Sequence, residues 1–379
     1  QTTEDCAFLR WIADGNFTLL GYRAYELALE GGRDILHAVP ESGLGILRGV
    51  GPDGGSDSFT MLPPEAHAQV RSPHLLVVAK SDVRASVHRP SYMDYIGVKR
   101  FNEAGEVIGE HRFLGLFTSS AYNTNPTEIP LLRRKLFNVI ERADFLPNSF
   151  AAKSLLTALE QYPRDELFQL DLEQLYTTTI GIVNLGERQK TRLFMRRDPW
   201  GRFFSCLIFT PRERYDTALR ERMQGILMET LGGTSCEHSV QISESVLARL
   251  LLIVRTDPQA APDYDVKELE ERLGQAARRW EDDLAQALIA RSGEEAGNLS
   301  MREYGVAFPT SYREDHSARE AVYDIELMDT LRDGQSIAVS LYAPLESTAG
   351  NLRFKILHSG APVPLSESLP MLEDMGLKV

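Results

Sequence analysis

The side chains best suited to chemistry crowd into one short stretch, HRPSYMDYIGVKRFNEAGEVIGEHRFLGLF, residues 88–117. His88, Arg89, Tyr92, Asp94, Lys99, Arg100, His111 and Arg112 all fall within it. Packing alone does not ask for so many polar groups. Arg89, Lys99, Arg100 and Arg112 can grip carboxylates, and arginine can do so with two parallel N–H donors. These eight residues are the candidate docking or ligand surface. The alternative is a cross-strand ion-pair ladder with Glu103, Glu106 and Glu110, which would only stabilise a half-exposed sheet. On the residues alone the ladder is the default.

Other chemistry leaves few traces. Gly43-Leu44-Gly45 followed by Gly49 has the wrong spacing for a dinucleotide loop, and Pro52 with Gly54-Gly55 makes it a connection. No phosphate-binding GxxxxGK[ST], HExxH or GxSxG pattern occurs. Cys236-Glu237-His238 puts two ligand types on one strand face, but no second pair completes a metal site. Glu106 and Glu110 would lie roughly 13 Å apart on a strand, too far to share acid–base work. No catalytic, cofactor-binding or metal-ligating residue is assigned.

The elements that must position the polar cluster can be read around it. Strand alternation puts Val107, Gly109, His111, Phe113 and Phe117 on one side of a returning strand, and Ile108, Glu110, Arg112, Leu114 and Leu116 on the other. The arms meet at Asn102-Glu103-Ala104-Gly105, where the glycine suits a positive φ. Before this hairpin come a short helix over 4–14, a strand FTLLGYRAYEL, a Gly-rich, proline-spotted stretch over 31–64, and a strand LLVVAKSD. Helices are expected over 130–145 and 150–162, the second broken by Pro163.

TRLFMRR and RFFSCLIFT then flank a turn at Asp198-Pro199-Trp200-Gly201, with a helix over 213–231 closed by Gly232-Gly233 and strands SCEHSVQIS and ARLLLIVRT. This ββαββ series has the size of a ferredoxin-like sandwich. Leu269, Leu273, Ala277, Trp280, Leu284 and Leu288 predict one long amphipathic helix over 266–290. The C-terminus restates the order hairpin then helix in SIAVSLYAP, LRFKILHSG and PLSESLPMLEDMG. It stops where a further strand is due. With a start at Gln1, this reads as a piece of something longer.

The chain has 379 residues, 43% apolar and 25% charged, with a net charge of −13. Several α+β domains are expected. The acidic balance argues against nucleic acid as a partner. The basic runs Arg133-Arg134-Lys135 and Arg196-Arg197 are expected as solvated faces. Three cysteines without paired spacing fit a reducing cytoplasm, and no apolar run reaches membrane-span length.

HRPSYMDYIGVKRFNEAGEVIGEHRFLGLFTSSAYN, EIPLLRRKLFNVIERADF and QYPRDELFQ resemble the N-terminal region of the large bacterial NAD-specific glutamate dehydrogenases. FLRWIADGNFTLLGYRAYEL, GLGILRG and LPMLEDMGLKV fit the same family. The resemblance implies an α+β chain of small domains, PAS-like then ferredoxin-like (ACT-type), joined by helices. It divides the sequence into a PAS-like domain (1–128), a helical linker (129–190), an ACT-like domain (191–257), a helical segment (258–333) and the first half of a second ACT-like domain (334–379). One departure stands: ACT domains run βαββαβ, whereas here a hairpin precedes the first helix.

The resemblance also implies a non-catalytic regulatory and oligomerisation segment. NAD and the oxidative deamination of L-glutamate would belong to a downstream domain. The implied partners are the chain's own catalytic domain, sister subunits in a homo-oligomer, and an amino acid or carboxylate effector. A purely architectural module with no small ligand is the alternative.

Overall fold

The computed structural model describes residues 2–31, 33–48, 59–61, 70–186, 188–243, 245–258, 262–332, 336–342, 353–360 and 364–374. The chain forms two compact units, residues 1–277 and 278–379.

The first unit opens with α1 (Thr2–Trp11) and a π-helical turn (Ile12–Asn16) in which Gly15 takes a φ of +87°. That left-handed glycine ends the helix and turns the chain into β1 (Phe17–Glu30). β2 (Arg33–Ala38), β3 (Leu44–Gly45), β4 (Phe59–Met61), β5 (Leu76–Arg84), β6 (Tyr92–Phe101) and β7 (Val107–Phe117) complete one antiparallel sheet. Its order is β4-β2-β1-β7-β6-β5, with β3 also on β1. β2, β3 and β4 fall in the Gly-rich, proline-spotted stretch, where glycine and proline mask short strands. The β6–β7 turn is as expected, with Gly105 at φ +80° and Asn102 Oδ1 accepting from Glu106 N at 2.8 Å.

One face of this sheet carries Phe17, Ile96 and Phe117 into a core shared with Phe8 of α1. Five helices close over it: α2 (Ser119–Asn123), α3 (Leu132–Ala143), α4 (Phe150–Glu160), α5 (Arg164–Gln169) and α6 (Leu172–Leu185). The rings of Phe117 and Phe168 stack 4.5 Å apart. Pro163 stands just outside α5 and starts it, as proline at a helix N-terminus does. α6 is opened by Asp171, whose carboxylate accepts from Gln174 N at 2.7 Å in a capping box.

The expectation that the basic runs are solvated fails at two positions. Lys135 donates to the carbonyls of Leu167 (2.7 Å) in the last turn of α5 and of Leu170 (2.6 Å) at its C-cap. Arg196 is buried against Glu166. Each cation is held by oxygens from another element, which neighbours in sequence do not reveal.

β8 (Arg192–Arg197), β9 (Phe203–Pro211), α7 (Thr217–Leu231), β10 (Gly233–Gln241) and β11 (Leu247–Thr256) form the anticipated ββαββ layer, in sheet order β10-β11-β9-β8. α8 (Val266–Ala276) packs Leu269 and Leu273 under the same sheet beside Leu219, Met223 and Leu227 of α7. Closing α8 onto β8 and opening the chain between β10 and β11 regenerates βαββαβ. The apparent departure from the ACT order is thus a circular permutation, and the domain runs to Ala277 rather than ending at 257. The opposite face of the sheet sends Leu207 into the first core. Burial on both faces is why FFSCLIF reads as a continuous apolar run.

The long helix expected over 266–290 is broken. α8 ends at Ala276, and Asp282 accepts from Arg279 N at 3.1 Å to open a new helix, α9 (Trp280–Ser292), in the second unit. Acidic Glu281, Asp282 and Asp283 in its first turn were the signal for that restart.

The second unit continues with α10 (Glu294–Tyr304), α11 (Thr310–Asp315) and α12 (Ala318–Arg332) around Leu284, Leu288, Phe308 and Ile325. Then come the hairpin β12 (Ile337–Tyr342) and β13 (Arg353–His358), and α13 (Leu365–Asp374). Among the described residues no helix is long and apolar enough to cross a membrane.

Candidate functional site: a charged cavity between two sheets

The eight singled-out residues do not make one surface. Strand alternation sends them to both faces of the first sheet. Lys99 and Arg112 lie on the face that bears Met93, Leu114 and Leu116, beside Tyr95 and Glu110. There Glu110 accepts from Arg112 Nε at 2.9 Å and from the Tyr95 hydroxyl, while the Arg112 guanidinium lies 4.1 Å from the Tyr25 ring. Lys99 is 4% exposed and donates to the carbonyl and hydroxyl oxygens of Ser72. Burial pulls its pKa down to about 8, with Glu110 opposing. Of the ladder's carboxylates, Glu110 pairs along its own strand with Arg112 and faces Lys99 across β6 and β7, Glu106 caps the turn through Asn102, and Glu103 is exposed.

On the other face His111 Nδ1 lies 2.9 Å from the Tyr22 hydroxyl, and Arg100 is half-buried. His88 is exposed at a left-handed φ of +66° just before β6. Of the eight, Arg89 and Tyr92 line a cavity, and Asp94 stands directly behind it.

That cavity, about 260 Å³, lies between the start of β6, helices α2 and α5, and strands β9–β11 of the permuted sandwich. Lys80 of β5 sits opposite Asp94 in register, and its Nζ reaches Asp94 Oδ1 at 2.6 Å and Asp165 Oδ1 at 3.3 Å. Burial opposes the charge on Lys80, but Asp165 and Asp94 outweigh it and raise its pKa. Burial lifts the pKa of Asp94 against the pull of Lys80. The Tyr122 hydroxyl donates to Asp165 at 2.8 Å and accepts from Arg89 Nη2 at 3.2 Å. Burial and then Asp165 raise the pKa of Tyr122, which stays a neutral donor.

Across the cavity Arg255 of β11 is 7% exposed and lies flat on Tyr92, its guanidinium carbon 3.5 Å from the ring centroid and 5.0 Å from that of Phe203. Its Nε and Nη1 have no hydrogen-bond acceptor among the described residues. The carboxylates among the described residues that line it are engaged by cations: Asp165 by Lys80, Glu166 by Arg196 and Glu237 by Arg84. Among the described residues no group of three His, Cys, Asp or Glu side chains is placed to take a metal ion.

Sequence reasoning missed Lys80, Tyr122, Asp165, Phe203 and Arg255. A signal existed for two of them. Lys80 and Arg255 each interrupt a run of apolar strand residues, and a charge buried in such a strand needs a partner or a ligand.

Comparison with known proteins completes the description. Family models for glutamate dehydrogenase match four consecutive stretches: helical motif 1 at 129–188, the ACT2 domain at 192–281, helical motif 2 at 287–331 and the ACT3 domain at 336–379. The chain is 46% identical over 376 residues to the NAD-specific glutamate dehydrogenase of Halomonas elongata, covering 99% of this chain and 23% of that protein. It is 38% identical to the enzyme of the same name from Pseudomonas aeruginosa, covering 100% of this chain and 23% of the relative. For the one from Mycobacterium tuberculosis the values are 33%, 98% and 22%. The chain therefore spans about a quarter of the length of these curated relatives. The permuted βαββαβ sandwich between two helical stretches agrees with that succession of domains, and the chain belongs to the NAD-specific glutamate dehydrogenase family, as a segment built from its ACT and helical-motif domains.

Proposed function

We propose that this chain is a non-catalytic regulatory and assembly segment of a large NAD-specific glutamate dehydrogenase. NAD binding and the oxidative deamination of L-glutamate to 2-oxoglutarate and ammonia belong to a catalytic domain elsewhere in the parent. The segment senses a small metabolite and passes the signal to that catalytic domain and to sister subunits of a homo-oligomer. One observation carries this reading: the ACT2 sheet and the first sheet enclose a cavity of metabolite size whose walls come from β5, β6, α2, α5, β9, β10 and β11. A ligand there touches both sheets and the helices between them, so it has different affinity for arrangements that differ in their spacing.

Glutamate-dependent reduction of NAD tests the reading. The 379-residue chain alone is expected to give none, whereas the full-length parent turns over. A parent enzyme lacking this segment is expected to keep its chemistry and lose its response to metabolites. Turnover by the isolated chain overturns the non-catalytic assignment, and unchanged regulation in the truncated parent overturns the regulatory one.

A further inference from the structure

The cavity holds an imbalance that its own residues do not resolve. Lys80 is matched by Asp94 and Asp165, and Glu166 by Arg196. Glu237, the carboxylate on the adjoining strand β10, is taken by Arg84 at 2.6 Å, and Asp198 by Arg202 at 2.8 Å. Among the described residues Arg255 is left with two buried, unaccepted nitrogens, and burial lowers its pKa, with Tyr92 and then Glu237 opposing. Arg89, half-buried on the facing wall, donates to Ser91 Oγ, the Phe117 carbonyl and the Tyr122 hydroxyl, and no carboxylate among the described residues pairs with it. Stacking on Tyr92 and Phe203 stabilises the flat face of the Arg255 guanidinium, but it leaves the N–H edge unsatisfied.

Resting on the regulatory reading above, we infer that this cavity is a binding site for a small carboxylate, received by the guanidinium groups of Arg255 and Arg89. A carboxylate oxygen accepts a charge-assisted hydrogen bond from a guanidinium N–H, and the flanking rings of Tyr92 and Phe203 accept a short carbon chain. The volume admits a molecule of small-metabolite size.

The test uses the 379-residue chain with succinate, L-glutamate and inorganic phosphate as probes, and succinamide as the uncharged control, read by calorimetry and thermal shift. At least one carboxylate is expected to bind and to raise the melting temperature, and succinamide is expected to do neither. Arg255→Gln and Arg89→Gln are each expected to weaken binding about tenfold or more, as loss of a charge-assisted bond does. Arg89 lies nearer the surface, so R89Q keeps the test valid if R255Q fails to fold. No carboxylate response at millimolar concentration, binding unchanged in both variants, or binding of phosphate alone overturns the assignment.

Kinetics of the parent separate this inference from the reading it rests on. Carboxylate binding that R255Q abolishes, without any effect on dehydrogenase rate, sustains the site and sinks the regulatory role. A regulated enzyme whose response is the same in R255Q sustains the role and sinks the site.

Discussion

Arg196 and Glu166 hold each other across the boundary between the helical layer and the permuted sandwich. Arg196 Nη2 lies 2.9 Å from Glu166 Oε1 and Nε 3.1 Å from Oε2, and both side chains are less than a tenth exposed. The pair joins α5 to β8 and forms part of the wall of a second cavity of about 250 Å³. Its two partners come from different domains, so it fixes their relative placement as well as satisfying two buried charges.

Breaking one side of that pair leaves a buried charge without compensation. Arg196→Met or Glu166→Leu is expected to lower unfolding stability by about 3–5 kcal/mol, whereas the double substitution R196M/E166L loses far less than the sum. Urea denaturation of the four proteins forms the cycle. Single substitutions that cost under about 1 kcal/mol would show the pair to be dispensable.

Lys135 predicts a pH dependence of definite sign. Burial pulls its pKa down from 10.5 to about 8, with Asp171 opposing. Between those two values the unfolded chain binds more protons than the folded one, so this group makes stability rise with pH across the window. The full effect is of order 3 kcal/mol at one proton, and the carbonyls of Leu167 and Leu170 reduce it by favouring the ammonium form. Stability measured from pH 7.5 to 10.5 should climb more steeply in the parent chain than in Lys135→Met. Identical slopes contradict the assignment.

The fold was legible where one element decides its own fate. Leu219, Met223 and Leu227 announce α7, Gly232 ends it at φ +64°, and Asp198-Pro199-Trp200-Gly201 turns as its residue types require. It was illegible where distant elements decide. Nothing near Arg255 in sequence shows that Tyr92 will lie beneath it. Strand alternation, correctly read for β7, already implied that His111 and Arg112 face opposite ways. Treating the polar cluster as one surface ignored that implication. The break near Ala277 was hidden because the apolar spacing runs on across it, and only the acids of the next turn mark the new start.

Two glycines separate backbone strain from close packing. Gly105 has φ +80° and open space around it, so Gly105→Ala is expected to cost only the left-handed conformation, about 1–2 kcal/mol. Gly115 needs no special φ, but a Cβ there would strike the Thr18 carbonyl and the Phe17 ring on the neighbouring strand β1. Gly115→Ala is expected to cost about 3 kcal/mol and to perturb the β1–β7 pairing. Denaturation midpoints rank the two, and a cheaper Gly115→Ala would contradict the close approach.

The permuted sandwich makes the sharpest demand on domain limits. A chain ending at 257 keeps β8 to β11 and α7 but lacks α8, whose Leu269 and Leu273 are at most 1% exposed beneath the sheet. Each such leucine contributes about 1.5–3 kcal/mol on burial, and α8 also packs against β8, where Glu270 accepts from Leu193 N at 2.9 Å. Residues 1–277 are therefore expected to melt cooperatively, because both faces of the sheet stay covered. Residues 1–257 are expected to bind a hydrophobic dye, to lose the sharp transition and to aggregate. The chain keeps the sheet in both cases, so the difference between the two melts reports α8 alone. Equal melts for the two lengths would remove α8 from the domain and with it the circular permutation.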